Sequence, residues 1–231
     1  MGKLRFIGIL AGALVLVFVL GSLVVVIFTR TTHETRTFSG RISKIIVTTD
    51  RGAVTVRSGP ESGITVADEK RFVFYGPDIT ESVTNGVLSV LANCPMMAFV
   101  SCSTNFTITA PPHTDVEATA QRGLLTVLGM AGAVYSNSES GDFALTGPAL
   151  SVTAYSLEGA IATAFTQPPR FVHLRSETGN VTLTLPPARY AITANSGIGT
   201  STVTGLVSEA GAGRSVYASS GSGTTVVRRG R

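Results

Sequence analysis

The sequence predicts an all-β fold: a β-solenoid, meaning a single-stranded β-helix-like stack of about 18 residues per coil, preceded by one transmembrane α-helix. Three observations carry this. An uncharged apolar run opens the chain, a glycine-centred strand pattern recurs at near-constant spacing, and the remainder is rich in Gly, Ser, Thr, Val and Ala with no Trp. Such a composition suits strands and tight turns better than long helices.

The apolar run is Ile7 to Phe28, 22 residues without a charge. At about 1.5 Å per residue it measures roughly 33 Å, enough to cross a hydrocarbon core about 30 Å thick. A cleaved signal peptide is the competing reading. Its apolar region would be shorter and end in small residues, whereas this run ends Val24-Val25-Val26-Ile27-Phe28. Residues 7–28 are therefore expected to hold the chain in a lipid bilayer. Lys3 and Arg5 on the leading side favour a cytoplasmic N-terminus and an extracytoplasmic C-terminal domain. Gly8 and Gly12 form a G-x-x-x-G pair through which two such helices could approach as a homodimer.

The repeat reads Gly, any residue, apolar, small polar, apolar. It begins at Gly52, Gly86, Gly123, Gly141, Gly159 and Gly179, with degenerate copies at Gly197 and Gly221. The spacings are 34, 37, 18, 18, 20, 18 and 24, so a period of about 18 runs through most of the domain. A fixed period signals a stacked array. Before each glycine, small or apolar residues alternate with Asn137, Tyr155, Arg175 and Tyr217, which places the first set inward and the second outward. Three residues past each glycine stand Thr55, Ser89, Thr126, Ala144, Ala162, Thr182, Thr200 and Thr224, expected as one outward column of small side chains. A β-sandwich is the rival architecture; it shares the strand spacing but does not require the glycines to recur in one register.

Strand-Gly-strand units such as Ser140-Gly141-Asp142-Phe143-Ala144-Leu145 and Thr178-Gly179-Asn180-Val181-Thr182-Leu183 resemble those of the bacterial putative-adhesin domain family, over about residues 38–227. The resemblance implies a β-strand repeat ectodomain behind one transmembrane helix. It implies surface binding, supplies no catalytic residues and identifies no ligand.

The residues themselves offer little chemistry. Cys94 and Cys102, flanking a seven-residue loop outside the cytoplasm, read as a disulfide. Met96, Met97 and Phe99 in that loop form a cluster suited either to docking a partner or to capping the core. His33, His113 and His173 lack ligand companions at metal spacing, and the carboxylates do not cluster, so no metal, cofactor or catalytic residue is expected. Gly211-Ala212-Gly213-Arg214-Ser215 lacks the Lys and the following helix of a phosphate loop. Setting aside Lys3, Arg5 and Arg30 leaves 15 basic and 14 acidic residues, with no basic stripe interleaved with aromatics, which disfavours nucleic acid.

The expected organisation is a cytoplasmic segment 1–6, the helix 7–28, a linker 29–37, the ectodomain 38–227 and a basic tail 228–231. The expected role is a non-enzymatic protein of a bacterial cell envelope, whose solenoid is a binding or scaffolding surface for an envelope protein or a glycan. The alternative is an accessory ectodomain that senses envelope stress and signals through lateral contacts of its transmembrane helix.

Overall fold

The computed structural model describes residues 14–16, 29–95 and 101–230. The helix expected over 7–28, the Gly8–Gly12 pair and the segment 1–6 lie outside these residues, apart from a helical turn at 14–16. Among the described residues no helix is long and apolar enough to cross a membrane.

The described chain is built almost wholly of strands. The first seven are β1 (Thr29–Phe38), β2 (Lys44–Arg51), β3 (Val54–Ser58), β4 (Ile64–Val73), β5 (Asp78–Thr84), β6 (Val87–Asn93) and β7 (Cys102–Ala110). Six long–short pairs follow. They are β8 (Asp115–Arg122) with β9 (Leu125–Leu128), β10 (Ala133–Ser140) with β11 (Phe143–Gly147), and β12 (Ser151–Glu158) with β13 (Ile161–Phe165). The last three are β14 (Phe171–Thr178) with β15 (Val181–Leu185), β16 (Ala191–Ile198) with β17 (Ser201–Thr204), and β18 (Ser215–Ser222) with β19 (Thr225–Arg229).

They form two mixed sheets. The first has the order β1-β4-β7-β3-β9-β11-β13-β15-β19-β17, the second β16-β18-β14-β12-β10-β8-β2-β6-β5. Each pair places its long strand in the second sheet and its short strand in the first. Neighbouring pairs run parallel and in register, as in Phe143↔Ile161↔Val181 and Val134↔Val152↔Val172. Antiparallel pairing is confined to one end, where β1, β4 and β7 meander and β5 and β6 form a hairpin.

The alternation in the sequence accounts for this. In β8, Val116, Ala118 and Ala120 are buried while Glu117 and Thr119 are not. The inward sets of the two sheets meet in one core that includes Phe106, Leu125, Phe143, Ile161, Val181 and Leu183 from the first and Val116, Val134, Val152, Leu174 and Val216 from the second. As the pattern requires, Phe143, Ile161 and Val181 are buried and Ala162 is exposed.

The turn between long and short strand is two residues led by glycine. Glycines 52, 123, 141, 159 and 179 hold the expected place. A side chain there would collide with the neighbouring pair: a Cβ on Gly141 would lie 1.8 Å from the Gly123 carbonyl oxygen, and one on Gly159 2.2 Å from that of Gly141. The repeat therefore needs glycine because adjacent turns touch backbone to backbone.

Several expectations are corrected. The turn glycines of the last two pairs are Gly199 and Gly223, not Gly197 and Gly221. A Cβ on Gly223 would meet the Gly179 oxygen at 2.5 Å and one on Gly199 the Gly223 oxygen at 2.2 Å. Gly86 belongs to another turn altogether, the Asn85-Gly86 hairpin between β5 and β6, where both residues have positive φ (52° and 74°). The outward column consequently runs Thr107, Thr55, Thr126, Ala144, Ala162, Thr182, Val226, Thr202. Ser89 lies in the second sheet, and Thr200 and Thr224 lie in turns. Residues 29–37 are strand β1 rather than linker, because Thr29–Phe38 finds a ten-residue antiparallel partner in β4. Arg228 and Arg229 complete β19 rather than forming a tail.

The order of the pairs also departs from chain order at both ends. β18/β19 sits between β14/β15 and β16/β17, and β2/β3 sits between β6/β7 and β8/β9.

Candidate functional site

Two polar devices recur at the turns. The residue three before the turn glycine is commonly Ser, and its hydroxyl donates to the glycine carbonyl of the adjoining pair. Ser156 donates to Gly141 O at 3.1 Å, Ser176 to Gly159 O at 2.7 Å, Ser220 to Gly179 O at 2.7 Å and Ser196 to Gly223 O at 2.7 Å. Where the residue after the glycine is Asp or Asn, it accepts through its side chain. Asp142 Oδ1 takes the Ala160 N–H at 2.7 Å and Asn180 Oδ1 the Thr224 N–H at 2.8 Å. The acidic or amide residue after glycine is thus structural, since it satisfies a turn N–H that no strand reaches.

Cys94 and Cys102 are bonded to each other, with S–S 2.09 Å and Cα–Cα 5.8 Å. The bridge closes the β6–β7 connection, which replaces the two-residue glycine turn of the other pairs, and the Cys94 N–H donates to Asp50 at 3.0 Å. Met96, Met97 and Phe99 lie outside the described residues. His33 is in β1, His113 in a turn and His173 in β14. Among the described residues no three His, Cys, Asp or Glu side chains are placed to hold a metal.

The two outward faces differ in chemistry. That of the first sheet is mostly Thr and Ala. That of the second gathers aromatics. One row reads Glu117, Tyr135, Thr153, His173, Tyr217, Thr193 across six neighbouring strands. The next includes Asn137, Tyr155, Arg175 and Asn195, and Phe171 stands two residues before His173 on the same face. Three of the chain's five tyrosines are therefore on this face; Tyr190 is buried in the core and Tyr75 lies in a loop.

The rings are ordered by contact. His173 lies 4.7 Å from Tyr217 and 6.3 Å from Phe171 between centroids, both inclined at close to 60°. Tyr135 and Phe171 are each 43% exposed. Polar groups are fixed between them. Arg175 and Glu177 pair at 2.7 Å, the Tyr155 hydroxyl donates to Glu177 at 3.4 Å, and Lys44 pairs with Glu117 at 2.7 Å. A shallow groove at one side is lined by Lys44, Asp115, Glu117, Tyr135, Ser151 and Thr153. The sequence marks Tyr155, Arg175 and Tyr217 as outward. Recognising the platform requires the register across strands, which sets Tyr135, 38 residues before His173, in the same row.

Elsewhere, an ion-pair network lies at the antiparallel end, joining Glu34, Arg36, Asp68, Lys70 and Glu81. Asp68 in β4 is buried, which raises its carboxyl above the ordinary carboxylate value in spite of the Lys70 ammonium 3.5 Å away. Glu34, hydrogen-bonded and ion-paired to Lys70 and then to Arg36, is held below the ordinary value.

This architecture is that of an all-β domain of two mixed sheets. The particular likeness is to the crystal structure of a putative cell adhesion protein from Clostridium sporogenes, with TM-score 0.55 and 12% identity over 87% of this chain and 100% of that one. A putative adhesin from Bacteroides fragilis aligns with TM-score 0.42 and 15% identity over 86% and 97% of the two chains. At 12% identity the first likeness is one of fold. No family model matches the sequence, and no curated protein matches it.

Proposed function

We propose that this protein is a membrane-anchored, non-catalytic module of a bacterial cell envelope: an extracytoplasmic β-solenoid whose aromatic face binds a glycan. The in-register parallel pairing at spacings of 18 and 20 residues supports the solenoid. The 22-residue apolar run supports the anchor, and the disulfide supports a compartment outside the cytoplasm.

The observation that carries the binding reading is the row Tyr135–His173–Tyr217 with its flanking Tyr155 and Phe171. Sugar rings present C–H faces that stack on aromatic side chains, and their hydroxyls need fixed donors and acceptors beside those rings. Asn137, Arg175 and Glu177 stand beside these aromatics on the same face. Holding them on a rigid sheet reduces the ordering cost of binding.

The test is retention on immobilised bacterial envelope polysaccharides. Tyr135→Ala and Tyr217→Ala should each weaken retention about tenfold, the loss of about 1.4 kcal/mol. Thr126→Ala on the opposite face should leave it unchanged. Equal effects from both faces, or retention by none of the polysaccharides, would sink the glycan reading.

A further inference from the structure

The two ends of the stack are finished in opposite ways. At the antiparallel end the outermost strands are β1 in the first sheet and β5 in the second. β1 carries Arg30, Glu34 and Arg36, and β5 carries Asp78 and Glu81. Arg36 reaches across to Glu81 at 2.8 Å while pairing with Glu34 at 2.7 Å, so charge spans both edges. Charged edge strands resist pairing with another chain.

At the other end the outermost strands are β16 and β17, with sequences AITANSGI and STVT and no charged residue or proline in either. Each is paired on one side only, β16 to β18 and β17 to β19. A loop shields only the start of β16. There the Ile192 N–H donates to Ser208 Oγ at 2.8 Å, and the Glu209 N–H donates to the Tyr190 carbonyl at 2.9 Å. Beyond that point the edge is open. All of β17 is exposed, Ile198 and Val207 are 75% and 79% exposed, and Ile192 and Ala194 only partly cover the core beneath them. A terminal repeat ordinarily has a polar, charged outer face, whereas these two strands carry no charge and leave Ile198 and Val203 exposed, the nearby charges being confined to the Arg189–Glu209 pair of the loop.

We propose that the β16/β17 end docks on the same end of a second copy of this chain. Two open edges, one in each sheet, need two partner strands held about 10 Å apart, the usual separation of packed sheets. A single peptide strand could complete only one of them. A second copy supplies both. A two-fold axis normal to the sheets sets β16 antiparallel to its own copy and β17 antiparallel to its own copy, continuing both sheets through the interface. The absence of charge on both strands removes the repulsion that self-apposition would otherwise bring.

The experiment measures the mass of the purified full-length protein in detergent over a concentration series. The wild type should pass from monomer to dimer. Thr193→Lys/Thr202→Lys, which puts like charges on both open edges, should weaken the dimer at least tenfold. Thr193→Glu/Thr202→Glu should do the same alone, and a mixture of the two variants should restore a heterodimer. Thr32→Lys on β1, at the capped end, should change nothing. Far-UV circular dichroism checks that each variant is folded. Because the native cysteines are bonded to each other, Thr202→Cys supplies a unique thiol and should crosslink to its copy where Thr32→Cys does not. A monomer at every concentration, a dimer indifferent to the edge lysines (as helix association through Gly8 and Gly12 would give), or equal crosslinking from both ends would overturn the proposal.

Discussion

Replacing Gly141 by Ala isolates the contact on which the stack depends. Gly141 lies outside the left-handed region, so alanine incurs no backbone strain there, yet its Cβ would sit 1.8 Å from the Gly123 carbonyl oxygen. Ordinary contact begins at 3.4 Å, so the two turns must part by roughly 1.5 Å. The hydrogen bonds that flank the contact, Gly123 N–H to Ser140 O at 3.1 Å and Leu125 N–H to Asp142 O at 2.9 Å, would then lengthen beyond bonding distance. Losing two such bonds, with their groups left partly buried, costs about 2–4 kcal/mol. For a domain of this size that lowers Tm by roughly 5–15 °C. Two other glycines serve as controls. Gly211 has φ +82° and open space around it, so Gly211→Ala tests backbone strain alone, at about 1–2 kcal/mol. Gly213 has neither constraint, and Gly213→Ala should be neutral or stabilising by up to about 1 kcal/mol. Urea unfolding of the purified full-length proteins, with m-values compared, gives all three. If Gly141→Ala proves no less stable than Gly213→Ala, the backbone-to-backbone stacking of the turns is wrong.

Two further outcomes follow from burial. Ile161 is fully buried between Phe143 and Val181, so Ile161→Asp should cost about 4 kcal/mol or more, whereas Ala162→Asp on the exposed face should stay within about 0.5 kcal/mol; the same unfolding assay reads both, and equal losses would show that the strand's faces are misassigned. Asp68 has its carboxyl raised by burial, so the folded state holds its proton more tightly than the unfolded chain does, and the stability this gives is present below the ordinary carboxylate value and lost as pH rises through the folded one. Asp68→Asn should therefore gain on the wild type as pH rises through and above the ordinary carboxylate value; stability curves that stay parallel as pH rises would contradict the assignment.

The period, the inward and outward residues and the disulfide are legible in the sequence because each is local. The Gly141, Gly159 and Gly179 turns follow from spacing alone. The last two turns do not, since Gly197 and Gly199, like Gly221 and Gly223, are both available two residues apart, and a two-residue shift keeps the same face inward. The discriminating signal is the serine three places earlier: Ser156-Leu157-Glu158-Gly159 and Ser176-Glu177-Thr178-Gly179 match Ser196-Gly197-Ile198-Gly199 and Ser220-Gly221-Ser222-Gly223. Its meaning appears only once the hydroxyl is seen to bond the neighbouring turn. The order of the pairs is not legible at all, because units with one pattern offer the same register to any neighbour. The aromatic face is half legible: Tyr155 and Tyr217 are marked as outward, but Tyr135, Phe171 and His173 join them only once it is known which strands are neighbours.

The interleaving of pairs at both ends constrains how the chain can assemble. β16/β17 is synthesised before β18/β19 yet packs outside it, so the open edges of β14 and β15 must wait while the nearer pair in sequence passes them by. Likewise β2/β3 is the first pair made and gains both flanking pairs only after about seventy further residues have emerged. A growing chain that simply added each unit to the last would trap β16/β17 against β14/β15, in a place whose matching register makes it tolerable but not final. The molecule is thus threaded late at both extremities, with its middle four pairs, β8/β9 to β14/β15, forming the only run that can be laid down in the order in which it is made.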